Sequence, residues 1–100
     1  MDMQGRLQNL IEYYGTVSFE GNSYILLDDP SISNEQIVRA FAIRMDDTPD
    51  EQGRMDLYLV DWEANGEDEF GSYAFNWDDP YSVWHSSGTY NIVTGQLIPD

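Results

Sequence analysis

The sequence predicts an α+β fold: an N-terminal helix packed on an antiparallel β-sheet with acidic hairpin loops, built by residues 1–100 as a single domain. Three observations predict it. Apolar residues recur at helical spacing near the N-terminus. Downstream they fall in short β-rich runs broken by Gly, Pro, Asn and Asp. The acidic residues gather in the polar stretches between those runs.

Met3, Leu7, Leu10, Ile11 and Tyr14 form one helical stripe, Asp2 is placed to cap its start, and Gly15 suits the left-handed position after its last turn. Thr16 to Phe19 and Ser23 to Leu27 flank Glu20-Gly21-Asn22, which predicts a β-hairpin with Val17, Phe19, Tyr24 and Ile25 among its apolar positions. Asp28-Asp29-Pro30 ends that strand. Residues 33–45 carry two patterns. Ser33 and Gln36 have capping-box spacing, with Ile37, Ala40, Phe41 and Arg44 on one helical face. Val38 to Met45 also reads as a strand opposite Asp56 to Trp62, across the loop Asp46 to Met55. The strand is favoured because it gives the β-rich run DLYLVDW a neighbour in the chain. Glu63 to Gly71 is a second acidic loop. Tyr73, Phe75 and Trp77 alternate as in a strand with one aromatic face, and Asn76 to Pro80 breaks it. Tyr81 to His85 fits a further strand or a short turn. Tyr90 to Val93 and Gln96 to Ile98 flank a bend at Thr94-Gly95.

Nineteen Asp and Glu oppose four Arg and no Lys, for a formal net charge of −15. Hydrophobic residues at 41% and aromatics at 14% supply a core, so the chain is not a disordered acidic tail. A folded chain of this size exposes about 5,800 Å². That is one net charge per roughly 390 Å², against about 110 Å² for duplex DNA. The distribution sharpens the comparison: fifteen of the nineteen carboxylates lie between Asp28 and Asp79. If that segment forms half the surface, its density reaches one net charge per ~240 Å², within a factor of about two of DNA.

This balance excludes nucleic-acid backbones as main partners, since they require clustered cations, and disfavours docking on anionic lipid. With no cysteine there is no disulfide, thiolate metal site or thiol nucleophile. MDMQGRLQNL lacks the basic and apolar regions of a signal peptide, and no apolar run approaches the roughly 20 residues of a membrane span, so a soluble cytoplasmic protein is expected. Asp61, Glu63, Asn65, Gly66, Glu67 and Glu69 resemble part of a calcium loop, but Ser72 stands where its bidentate Glu belongs; no metal or other cofactor is expected. His85 is the one histidine. A triad drawn through it to Ser86 or Ser87 carries no information when nineteen acids are available, so the chain is not expected to be an enzyme. Most aromatics should fill the core. Among Trp62, Trp77 and Trp84, Trp77 stands out as an interface anchor because it sits in an acidic turn. Self-repulsion among so many acids destabilises a small domain, and a basic partner would relieve it.

YYGTVSFEGNSYILLDD, DLYLVDWE and FNWDDPYSV, together with the size and charge, resemble small acidic proteins of bacterial mobile elements. These include anti-CRISPR and antirestriction proteins that act as DNA mimics. The resemblance implies an inhibitor that blocks target DNA by occupying the positively charged nucleic-acid-binding surface of a CRISPR effector complex. On that reading the contacts are Asp46, Asp47, Asp50 and Glu51 on one loop, Glu63, Glu67, Asp68 and Glu69 on a second, and Asp78 and Asp79 beside Trp77. The two loops are expected near one end of the sheet, as a continuous acidic ridge. The alternative partners are a basic nuclease toxin, neutralised by an immunity or antitoxin protein, and a restriction enzyme. Neither direct nucleic-acid binding nor membrane association is expected.

Overall fold

A computed structural model describes residues 3–85 and 88–100. The expected cap Asp2 and the serines Ser86 and Ser87 lie outside the described residues. Among the described residues one helix, α1 (Met3–Tyr13), is followed by ten strands: β1 (Thr16–Phe19), β2 (Asn22–Leu26), β3 (Ser31–Asn34), β4 (Ile37–Arg44), β5 (Arg54–Asp56), β6 (Tyr58–Glu67), β7 (Tyr73–Phe75), β8 (Ser82–Trp84), β9 (Gly88–Asn91) and β10 (Gln96–Pro99). All the strand pairings are antiparallel. The α+β class therefore stands: one short helix and mostly antiparallel sheet.

The main sheet runs β1-β2-β4-β6-β7, with β3 beside β4 and β8 beside β6. A second, three-stranded sheet, β10-β9-β5, was not expected from the sequence. Three other differences are local. Residues 31–34 pair with β4 as a strand, Glu63 to Glu67 of the expected second acidic loop extend β6, and Trp77 lies in the turn after β7. Within the two-pattern segment 33–45, Ile37–Arg44 forms the strand β4, paired with β6 from Ile37↔Glu63 to Ala42↔Tyr58.

Strand alternation sends successive side chains to opposite faces, and both faces are apolar here. Tyr24, Leu26, Val38, Ala40, Ala42, Tyr58, Val60 and Trp62 fill one face. Small Ala40 and Ala42 leave room for the edge-on pair of Tyr24 and Tyr58, whose ring centroids are 5.3 Å apart. Ile25, Ile43 and Leu57 lie on the other face, covered by Leu7, Leu10 and Ile11 of α1 and by Met55, Tyr90 and Ile92 of the second sheet or its flank. Gly15 leaves the helix at φ +88°, and its carbonyl accepts the Leu26 N–H at 3.1 Å, which ties the helix exit to β2. Full burial of side chains such as Trp62, Ile25, Ile43 and Leu57 contributes about 1.5–3 kcal/mol each.

One carboxylate interrupts the second face. Asp61, in the middle of β6, is 4% exposed. Arg39 stands directly opposite on β4 and grips it with two bonds, Nε to Oδ1 at 2.6 Å and Nη2 to Oδ2 at 2.9 Å. From β8, the Trp84 indole N–H donates to Oδ2 at 3.2 Å. A buried carboxylate is tolerable only when so paired, and removing one member strands the other. Asp61→Asn should therefore cost about 2–4 kcal/mol at pH 7, less than for a fully buried pair because Arg39 is partly exposed. A urea titration checks this; a loss under 1 kcal/mol would mean that the pair contributes little.

The β1–β2 connection has only two residues, because Asn22 already pairs with Phe19. Glu20 and Gly21 both have positive φ, +49° and +83°, the signature of a type I′ turn. Glycine adopts this freely, whereas glutamate is strained there and asparagine is not. Glu20→Asn should raise stability by about 0.5–1 kcal/mol. Thermal unfolding measures it, and a lower Tm would contradict the turn assignment.

Candidate functional site

The exposed surface is 6354 Å², or about 420 Å² for each of the 15 net negative charges. Where those charges lie follows from β6. Nine strand steps separate Tyr58 from Glu67, a rise of about 30 Å. The segment 46–53 adjoins the Tyr58 end of β6, and 68–72 adjoins the Glu67 end. The expected continuous ridge at one end of the sheet is therefore wrong: Asp46, Asp47, Asp50 and Glu51 lie at the end of β6 opposite to Glu67, Asp68 and Glu69. The sequence fixes loop composition, but the length of β6 separates the loops.

At the near end, arginine and the backbone offset much of the charge. Arg44 bridges Asp46 at 2.7 Å, and Arg54 bridges Asp50 at 2.6 Å. Asp50 Oδ1 also accepts the N–H groups of Gln52 and Arg54 at 3.0 and 2.8 Å, so this carboxylate organises its own turn. Those backbone bonds, with the Arg54 guanidinium, hold its pKa below the ordinary value. The Asn91 amide anchors the same turn to the second sheet through the Gln52 carbonyl. His85 stacks on Tyr58 at 4.9 Å and reaches Asp56 at 3.4 Å.

The far end differs. Glu67, Asp68 and Glu69 lie at that end, Glu35 and Glu63 beside Ala64, and Asp78 and Asp79 in the turn alongside Trp62 and Glu63; all seven are exposed, and among the described residues none of them makes a salt bridge. Glu35 sits on the β3–β4 connection, where the Gln36 carbonyl takes the Ala64 N–H at 2.7 Å. The negative charge of Glu67, with Glu35 adding to it, holds the Tyr73 hydroxyl above its ordinary pKa. Asp68 Oδ1 accepts the N–H groups of Phe70 and Ser72, both at 2.9 Å, which shapes the 68–72 turn. Glu63 and Asp79 line one shallow depression of about 320 Å³. The Tyr81 N–H donates to the Asp61 carbonyl at 2.7 Å, which fixes the 76–81 segment alongside β6.

Aromatic residues stand among these acids. Trp77 is half exposed, and Phe70 and Tyr81 are exposed by 85% and 62%. Trp62 is buried and belongs to the core, while Trp84 is exposed on β8 with its indole on Asp61. The structure thus places Glu67, Asp68 and Glu69 at the far end of β6, sets Glu63, Trp77, Asp78 and Asp79 along its middle, and leaves the 46–51 group at the opposite end. Glu35, Phe70 and Tyr81 are additions that sequence reasoning missed. Phe70 carried a signal, being an aromatic in the polar stretch EDEFG with no apolar neighbour to pack on.

The calcium-like pattern from Asp61 is not a loop: residues 61–67 belong to β6, and Arg39 closes on Asp61. No group of three metal-ligating side chains occurs among the described residues. No helix among them is long and apolar enough to cross a membrane.

Asp47 shows how the near end bears its charge. Its Oδ2 is buried and has no hydrogen-bond partner among the described residues. Burial raises its pKa above 3.8; the charges of Asp56 and Asp46 add to the rise, while Arg44 and His85 oppose it. Between 3.8 and the raised value the folded chain binds more protons than the unfolded one, so stability falls as pH rises through that window. Asp47→Asn should therefore raise Tm by a few degrees at pH 7 and leave it unchanged near pH 3. An equal shift at both values would rule out the charge as the cause. No protein-family model matches the chain, and no curated protein or solved structure is significantly similar to it.

Proposed function

We propose that this chain is a stoichiometric inhibitor that binds the positively charged nucleic-acid-binding surface of a CRISPR effector complex by DNA mimicry and excludes target DNA. It acts by occupancy, without catalysis or cofactor. One observation carries the reading: seven exposed carboxylates on or beside β6 from the level of Trp62 to its Glu67 end, without a salt bridge among the described residues, interspersed with Phe70, Trp77 and Tyr81. The acidic loops at this end supply charge to complement a basic groove, and the rings supply apolar contact that charge alone lacks.

A second reading draws on the same surface. Acids and rings gathered along one half of β6 also suit a plug for the active site of a basic nuclease toxin, which is the immunity-protein alternative. A restriction enzyme is a third target of the same chemistry. All three share fast, salt-sensitive association.

Displacement of labelled target DNA from CRISPR effectors, with a restriction endonuclease and a nuclease toxin alongside, tests the proposal. Wild-type protein should displace DNA from an effector at near-equimolar amounts, with at least tenfold weaker affinity at 500 mM than at 50 mM salt. Reversing Glu63, Glu67, Asp68, Glu69, Asp78 and Asp79 to Lys should abolish displacement, while reversing Asp46 and Glu51 should weaken it only a few-fold. Full displacement by the far-end variant, or affinity indifferent to salt, would overturn the mechanism. Inhibition of the toxin alone would select the immunity reading.

A further inference from the structure

Between the helix exit and the turn after β7 lies a recess of about 380 Å³, lined among others by Tyr14, Val17, Pro30, Trp62, Trp77 and Asp78. Trp62 forms its floor, buried to 1% exposure, and Trp77 a wall with 49% of its surface open. The two indoles stand 5.6 Å apart at 63°, and Phe75 stacks on Trp77 at 5.5 Å. The Trp62 indole N–H donates to the Trp77 carbonyl at 3.0 Å, and the Asn76 side chain accepts the Asp78 N–H at 3.2 Å. The wall is therefore fixed before anything binds. A carboxylate, Asp78, stands among rings whose faces carry negative potential, and among the described residues it has no salt bridge.

We propose that this recess receives an arginine side chain of the basic partner, its guanidinium against the Trp77 indole and its N–H groups toward Asp78. Charge complementarity selects the occupant. Aromatic walls with an acidic rim favour a cation over a neutral apolar group. Among cations, a guanidinium is flat and weakly hydrated, so it can stack on an indole while bonding a carboxylate through its fork; an ammonium is more strongly hydrated and cannot stack. The chain's own arginines are placed elsewhere: Arg39 on Asp61, Arg44 on Asp46, Arg54 on Asp50, and Arg6 on α1 beside Gly95. The inference rests on the proposed function only for the partner; the chemistry of the recess stands apart from it.

The test needs no partner. N-acetyl-arginine methylamide is titrated into the full chain at low salt and followed by amide and indole NMR shifts, with the neutral citrulline analogue as control. Saturable shifts are expected at Tyr14, Val17, Trp77, Asp78 and the Trp62 indole, with at least fivefold weaker binding of citrulline. Asp78→Asn, which preserves the packing, should weaken the arginine probe several-fold and leave citrulline unchanged, and Trp77→Ala should abolish both. Reversing Glu67, Asp68 and Glu69 to Lys should leave the recess shifts in place, which separates this result from the DNA-displacement assay. Shifts spread over the acidic residues with none at Trp77, or equal response to the two probes, would overturn the assignment.

Discussion

Asp61 places a negative charge where the sheet is otherwise apolar, and β4, β6 and β8 are joined around it. Arg39 meets it from β4 with two hydrogen bonds and Trp84 from β8 with one, so a single carboxylate links three strands. Left unpaired in that position, it would cost several kcal/mol. The register in which Arg39 faces Asp61 also places Tyr58, Val60 and Trp62 on the opposite face, because a one-residue slip would exchange the faces. The backbone of the same residue accepts the Tyr81 N–H, so the anchor extends to the segment that presents Trp77, Asp78 and Asp79. The geometry of the candidate surface thus depends on an interaction outside it.

The placement of the arginines then decides what the remaining acids can do. Three of the four meet carboxylates at Asp46, Asp50 and Asp61, near the start and middle of β6. The strand continues past the last of them to Glu67, and the acids beyond it rely on solvent and salt to screen their repulsion. Such an arrangement is poor design for stability and good design for capture of a cationic surface, because binding relieves the repulsion. On the proposed function, the rings beside these acids would add desolvated contact where charge alone gives only loose attraction.

Local patterns were legible wherever a neighbour in the chain enforces them. The α1 stripe Leu7, Leu10 and Ile11 packs as its spacing predicts, and Gly15 takes the left-handed conformation that its position requires. The strand over 37–44 won over the helix with equal local signals because β6 offers it six consecutive register pairs. What the sequence hid is distance. Asp46 and Glu67 look alike as loop acids, yet the length of β6 separates them. Asp61 looks like one acid among nineteen, and only the facing Arg39 marks it as structural. The second sheet was hidden for the same reason, since Arg54 to Asp56 pairs with strand residues more than thirty positions later. Phe70 was overlooked because aromatic residues are usually assigned to a core.

The proposal that binding is confined to residues 63–81 is tested most directly by hydrogen–deuterium exchange of the chain, free and in the presence of any effector from which it proves to displace DNA. Protection is expected across residues 63–81, with unchanged exchange at 46–56. Protection centred on 46–56, or on α1, would contradict it.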